Sequence, residues 1–510
     1  MRSLRRLSVW SCVLILAAAG IGHAQGRGGG VWTTSRNDAQ RTSSVRTDPR
    51  ISRQSLSKAG FQLLWKHALE TTATPRPALT EPVFSTPGFI TYKGFKALAY
   101  IGGGSETVYA LDYDLNKMFW TAHLSTASAA PGSAACPGGL TSLTENTPLA
   151  PAQPGAGRGG GGGGGGRGAN PVYAVSSGGM LHFLNAQTGT DLTAPEKLLA
   201  GENARVVGSI VVNNTLYAAT AGNCGGVPNG VYAMDLTPAP LTAPPPMAGP
   251  MPPPPAVTPA STTVTRWTTN GGSVAGSAGP ALGTEGTVYV ATGDGDYSAT
   301  AFSDAVVSLE AKTLKQKDYF TPGKTPFTSS PVVFQYKGKD FIVAGNQDGR
   351  LYLLDSASLG GADHKTPLFA TPPVPGGGSP DPGRMGASTF EEADGTRWVV
   401  AAAGVVTGFK IVDASGAVTL QPAWSSGPNV SWLTPVVVNG VVFAVSSGEP
   451  RGQANAVLRA FDLTTGKELW TSGSAIAASV RGIGPVANDS QVYIVGADGT
   501  LYAFGFPTER

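Results

Sequence analysis

The chain has 510 residues, with Lys+Arg 36, Asp+Glu 33, hydrophobic content 41%, charged content 14%, Gly 70 and Pro 40. So many helix breakers among so few charges exclude helical bundles and coiled coils, and the ordinary apolar fraction excludes general disorder. The nearly balanced charge gives no broad electrostatic pull on nucleic acid or anionic lipid.

Residues 1–24 read as a secretory signal peptide. Arg2, Arg5 and Arg6 form its basic start, residues 9–21 its apolar run, and Gly22-His23-Ala24 its small-residue cleavage region. The run is shorter than the roughly 20 residues of a membrane span, which makes an uncleaved anchor the weaker alternative. Three basic residues leave with this leader, so the mature chain is close to neutral. The expected location is periplasmic or secreted, with no stable membrane span after signal removal. Residues 25–60 follow as an N-terminal extension that starts on a flexible glycine-rich stretch, 26–30.

From residue 61 to 510 one pattern recurs: an apolar strand, a tight turn, a second strand, another turn, and a third strand ending in an acidic or related residue. The third strand returns at 108–112, 181–185, 231–235, 306–310, 351–355, 409–413, 458–462 and 501–505. A fourth strand often follows and carries Trp120, Trp267, Trp424 or Trp470. Asn439-Gly440, Asp348-Gly349 and Asp498-Gly499 sit between apolar strands, where positive φ is cheap. A sheet of four short antiparallel strands has two apolar faces, and radial packing around an axis buries both. The last unit ends after its third strand, while residues 61–65 have the fourth-strand pattern and no unit of their own. The sequence therefore predicts an all-β fold, an eight-bladed β-propeller of four-stranded antiparallel blades, its last blade closed by an N-terminal strand.

Two low-complexity loops interrupt the repeat, 151–169 with its glycine run and 238–260 dominated by proline. The register puts the first between strands one and two of blade 2, and the second between strands three and four of blade 3. Those loop classes share a face. The opposite face receives the second-to-third loops and the blade-to-blade connections, and with them Cys136 and Cys224. Two cysteines of an exported chain on neighbouring blades and one face are expected to form a disulfide; two free thiols are the alternative.

Residues 108–112 with 117–120, and above all the run Ala-Phe-Asp-Leu-Thr-Thr-Gly-Lys-Glu-Leu-Trp at 460–470, resemble quinoprotein (pyrroloquinoline quinone, PQQ) propeller repeats. The resemblance spans about residues 32–506 and implies an eight-bladed propeller. It implies two possible functions, because the family holds both enzymes that bind PQQ and calcium and non-enzymatic proteins such as an outer-membrane assembly propeller. Thr292-Gly293-Asp294 resembles the Thr-Gly-Asn segment that supplies a calcium ligand in the dehydrogenases. Asp294 and Asp296 are thus the candidate calcium ligands, and Tyr297 joins them as a candidate cofactor contact. A plain Gly/Asp turn joining two strands is the competing reading.

The departures weigh more. The dehydrogenases carry an adjacent cysteine pair and a Trp-Asp motif, whereas no two cysteines here are adjacent and no tryptophan precedes aspartate. His67, His123, His182 and His364 lack the spacing of a zinc site. The expected function is an exported, monomeric, non-catalytic scaffold that binds a protein, peptide or envelope component. A divergent PQQ- and calcium-dependent oxidoreductase is the rival. A hydrolase using Glu391, Glu392 or Glu449 is the third possibility, since propellers host many chemistries.

Overall fold

Short apolar segments separated by tight turns pair with their chain neighbours into eight antiparallel sheets around an axis. At one such turn, between Val438 and Val441, Asn439 and Gly440 have φ of 47° and 79°. That left-handed pair is what a two-residue hairpin requires. The structure, a computed structural model, describes residues 32–70, 79–85, 89–91, 94–124, 136–149, 171–237, 263–374 apart from 294, 297 and 299, 385–427, 431–448 and 455–507.

Blade 1 runs outward through Val83–Phe84, Leu98–Gly102, Thr107–Asp112 and Lys117–His123. The third strands of the other blades are Met180–Leu184, Gly230–Asp235, Val306–Leu309, Leu351–Asp355, Val406–Ala414, Val457–Asp462 and Thr500–Gly505. Blade 8 joins the two ends of the propeller. Gln62–Ala68 lies antiparallel to Thr500–Gly505, with Gln62 opposite Gly505 and Ala68 opposite Thr500. The N-terminal strand closes the ring, as the repeat predicts. The low-complexity loops fall outside the described residues, but their flanking strands are the expected ones, Leu143–Thr144 with Val172–Val175 and Gly230–Asp235 with Val264–Thr268.

Two blades depart from four strands. Asn146–Thr147 adds a parallel strand inside blade 3, and Ser44–Val45 adds one inside blade 7.

The core is a ring of layers between adjacent blades. Trp398, Val400, Val437, Val442 and Phe461 fill the layer between blades 6 and 7, and the layers on both sides of blade 8 merge into one. Each fully buried Val or Phe is worth about 1.5–3 kcal/mol. The outer tryptophans dock across these layers. Trp120 of blade 1 donates its Nε1–H to Ala186 O of blade 2 at 3.0 Å, and Trp424 of blade 6 donates to Leu463 O of blade 7 at 2.6 Å. Each ring lies flat on a glycine of the receiving blade. A Cβ at Gly189 would stand 2.5 Å from the Trp120 ring, and one at Gly466 would stand 2.6 Å from the Trp424 ring.

The extension is not outside the propeller. Residues 32–45 run through its axis as a strap that meets the blades in order. Trp32 O accepts from Phe84 N–H of blade 1, Thr33 O from Glu145 N–H of blade 2, and Ala39 O from Leu282 N–H of blade 4. Gln40 O accepts from Val333 N–H, Thr42 O from Thr389 N–H, and Ser43 O from Val437 N–H, in blades 5, 6 and 7. Arg41 reaches Ser209 O of blade 3, and Asp48 accepts from Ser490 of blade 8 at 3.0 and 2.8 Å.

Two truncations separate the strap from the closing strand. Removing residues up to 68 should abolish a cooperative thermal transition, because blade 8 is left with an open edge and loses Phe61 and Trp65 from its core. Removing residues up to 48 should keep a cooperative transition at a lower temperature. Calorimetry that finds both truncations melting like the full chain would contradict this assignment.

Candidate functional site

The axis meets the blade-connection face beneath three crossings of the chain, at Glu81 (blade 8 to 1), Thr434 (6 to 7) and Gly484-Pro485 (7 to 8). The crossings are tight. A Cβ at Gly484 would stand 2.0 Å from Thr434 O, so only glycine allows this approach. With Trp32, Arg36 and Ser43 of the strap they enclose a pocket whose free volume is about 10 Å³.

The strap backbone is contorted here. Arg36, Asn37, Arg41 and Ser43 have φ of 62°, 81°, 61° and 49°. Left-handed conformations of such residues cost about 1–2 kcal/mol each, so the surrounding bonds must hold them. Arg41 shows how. Its Nε donates to Pro280 O at 2.8 Å, and its Nη1 donates to Thr34 Oγ1 at 2.9 Å and Ser35 O at 2.6 Å. Arg36 donates its Nη2–H to Thr434 Oγ1 at 2.8 Å and its backbone N–H to Glu81 Oε2 at 2.9 Å. Its Nη1 is buried without a partner, as is Trp32 Nε1.

Electrostatics follow from burial. Desolvation lowers Arg36, with Glu81 opposing, and lowers Arg41 to about 9. It raises Glu81 against the pull of Arg36, and raises Asp38 against hydrogen bonds from Thr42. Glu145 of blade 2, whose N–H holds the strap at Thr33, is pushed up to about 8 by burial alone. It carries a proton at neutral pH.

Around the pocket the same face holds the cysteines. Cys136 lies in the connection from blade 1 to 2 and Cys224 in the second-to-third loop of blade 3; they are bonded, with Cα atoms 5.5 Å apart. Nearby, Ser177 N–H donates to both Glu106 oxygens at 3.1 and 3.2 Å, and burial raises Glu106. His182 Nδ1 stands 2.9 Å from Asp191 Oδ2, and its Nε2 is buried without a partner.

Of the aspartate loop, Asp294 and Tyr297 lie outside the described residues. Asp296 is exposed, and its carbonyl accepts from Ser303 Oγ–H at 2.8 Å. Among the described residues no three of His, Cys, Asp and Glu converge to hold a metal. Glu391 and Glu392 lie on the opposite face and tie down the chain leaving the axis. Glu391 meets Arg46 at 3.1 Å and Arg397 at 2.8 Å, and Glu392 meets Arg53 at 2.6 Å. Glu449 lies outside the described residues. Sequence reading passed over Arg36, Arg41 and Glu81, since a polar stretch without periodicity gives no sign that it is buried.

No family model matches the chain, and no curated protein matches it. Solved structures do. The quinohemoprotein alcohol dehydrogenase ADHIIG from Pseudomonas putida has a TM-score of 0.62 at 15% identity, over 94% of this chain and 82% of that one. A europium-containing methanol dehydrogenase has a TM-score of 0.59 at 14% identity, over 94% and 99%. Saccharomyces cerevisiae Sqt1 has a TM-score of 0.53 at 11% identity, over 88% and 100%. At such identities the likeness is one of fold alone.

Fit to the cofactor of the dehydrogenases can be tested on the axis itself. PQQ is a fused tricyclic tricarboxylate, and pockets for groups of that size take about 300 Å³ or more. Residues 32–45 occupy the axis, and the pocket they form with Glu81, Thr434 and Gly484 holds about 10 Å³. The residues of that pocket do not fit PQQ.

Glu145 gives a pH prediction. Its folded value lies above its unfolded one, so the stability it contributes is complete below about pH 4.5 and lost as pH rises through about 8. The slope is at most about 1.4 kcal/mol per pH unit. Thermal melts should show Glu145→Gln gaining on the parent chain between pH 5 and 8; a parallel pH profile would refute this. For the cysteines, peptide mapping without reductant should recover a cross-linked Cys136–Cys224 pair, and reduction should lower the melting temperature. Recovery of two free thiols would exclude the bridge.

Proposed function

We propose that the chain is an exported, monomeric, non-catalytic propeller that acts as a binding scaffold in the cell envelope. Its partner is a protein, peptide or envelope component, engaged on the blade-connection face. The observation that carries this reading is the strap: the chain fills its own axis where a propeller cofactor would need room. The missing adjacent-cysteine and Trp-Asp motifs point the same way. Main-chain carbonyls of the strap are bonded to six blades, which suits a rigid frame for recognition.

Export rests on the leader-like residues 1–24. Among the described residues no helix is long and apolar enough to cross a membrane. The rival oxidoreductase reading draws on the fold that this chain has in common with quinoprotein dehydrogenases, and on Asp294, Asp296 and Tyr297 as calcium and PQQ contacts.

One titration separates the two. Purified protein mixed with PQQ and calcium should show no saturable absorbance change and no dye-coupled alcohol oxidation. Stoichiometric binding with turnover, lost in an Asp294→Ala, Asp296→Ala double variant, would establish the oxidoreductase instead.

A further inference from the structure

The axial pocket contains an imbalance that the rest of the strap does not. Arg36 and Trp32 are 4% and 1% exposed. Each presents a nitrogen donor to no acceptor, and both line the same pocket. Buried donors without partners are rare and costly, and they mark a water, an ion or a ligand group. The third polar member, Glu81, already accepts from the Arg36 backbone. The other Arg36 nitrogen in use, Nη2, is held by Thr434 Oγ1. One arm of a fixed guanidinium and one indole N–H, both on residues that line the pocket, are therefore left without an acceptor.

We infer that this pocket seats one oxygen of a carboxylate group, making it the anchor point of the proposed binding face. The size argument sets the class. A free volume of about 10 Å³ admits one oxygen-sized atom and excludes the bulk of phosphate or sulfate. The charge argument favours an anionic oxygen over a neutral carbonyl, because a hydrogen bond from a guanidinium to an ionised acceptor is about twice as strong. Glu81 lines the same pocket, where burial raises its pKa and Arg36 opposes the rise. Gly484, which lines the pocket, is itself partly exposed, and beside it Gly482 and Arg481 lie partly and fully exposed. The carbon skeleton of the ligand would lie on those residues, outside the pocket. This assignment rests on the scaffold reading and names the chemical group through which the scaffold holds its partner.

The test uses the full chain and simple probes. Formate and acetate should raise the melting temperature saturably above chloride at equal ionic strength, and acetamide should not. Short peptides with a free C-terminus, compared with amidated peptides carrying glutamate, tell a terminal carboxylate from a side-chain one. Trp32→Phe keeps the ring and removes one donor, and should weaken formate binding about tenfold. A crystal soaked in formate should place an oxygen within hydrogen-bond distance of Trp32 Nε1 and Arg36 Nη1. The inference is overturned if that position holds only water, if chloride acts as well as formate, or if Trp32→Phe leaves affinity unchanged. The PQQ titration is independent: turnover there would remove the scaffold reading even if formate binds, and formate failure alone would leave that reading standing.

Discussion

Eight sheets arranged about an axis cannot converge on a line, because the inner edge of each first strand still has donors and acceptors to satisfy. A narrow ring could fill the gap with side chains; a wide one leaves a channel. In this protein the channel is lined by backbone, and residues 32–45 supply the missing partners to six blades through main-chain bonds. The fifth strand of blade 3 is a further answer to the same need, and that of blade 7 is the end of the strap itself. The left-handed residues of the strap and its buried arginines follow from threading a chain through a space that narrow.

Buried charge is the cost of that solution. Arg36, Arg41, Asp38 and Glu81 are all removed from water, and desolvation works against each of them. An apolar plug could be more stable, but it would leave carbonyls such as Pro280 O and Ser35 O without donors. The guanidinium of Arg41 reaches acceptors on different segments with one rigid fork, which lysine could not do. The charges therefore fix where the strap sits as much as how firmly it is held.

The blades were legible because they repeat. Each third strand is a short apolar run ending at a turn, and eight copies at similar spacing leave little choice of architecture. Trp424 over Gly466 was legible in part: the tryptophan announced inter-blade packing, but only coordinates reveal that its partner is a glycine on the next blade. The strap was not legible at all. Residues 32–45 are polar, have no period and occur once, and their burial depends on a cavity that exists only after the ring has closed. The same reason hides Glu145, an acidic residue between two short strands whose backbone meets the strap and whose carboxyl acts on Tyr100 and Tyr173 of blades 1 and 2.

Closure and threading together have a kinetic meaning. The chain enters the ring at the connection face, leaves it at the hairpin face beside Glu391 and Glu392, and then supplies the strand that locks blade 8. The strap is tied to six blades by main-chain bonds, and its own continuation is the strand that fastens the ring. Opening blade 8 therefore pulls on the chain that makes the axial bonds, and this coupling raises the barrier to opening. A pull applied at the closing strand would load the axial bonds next, so the two ends of the propeller resist opening together.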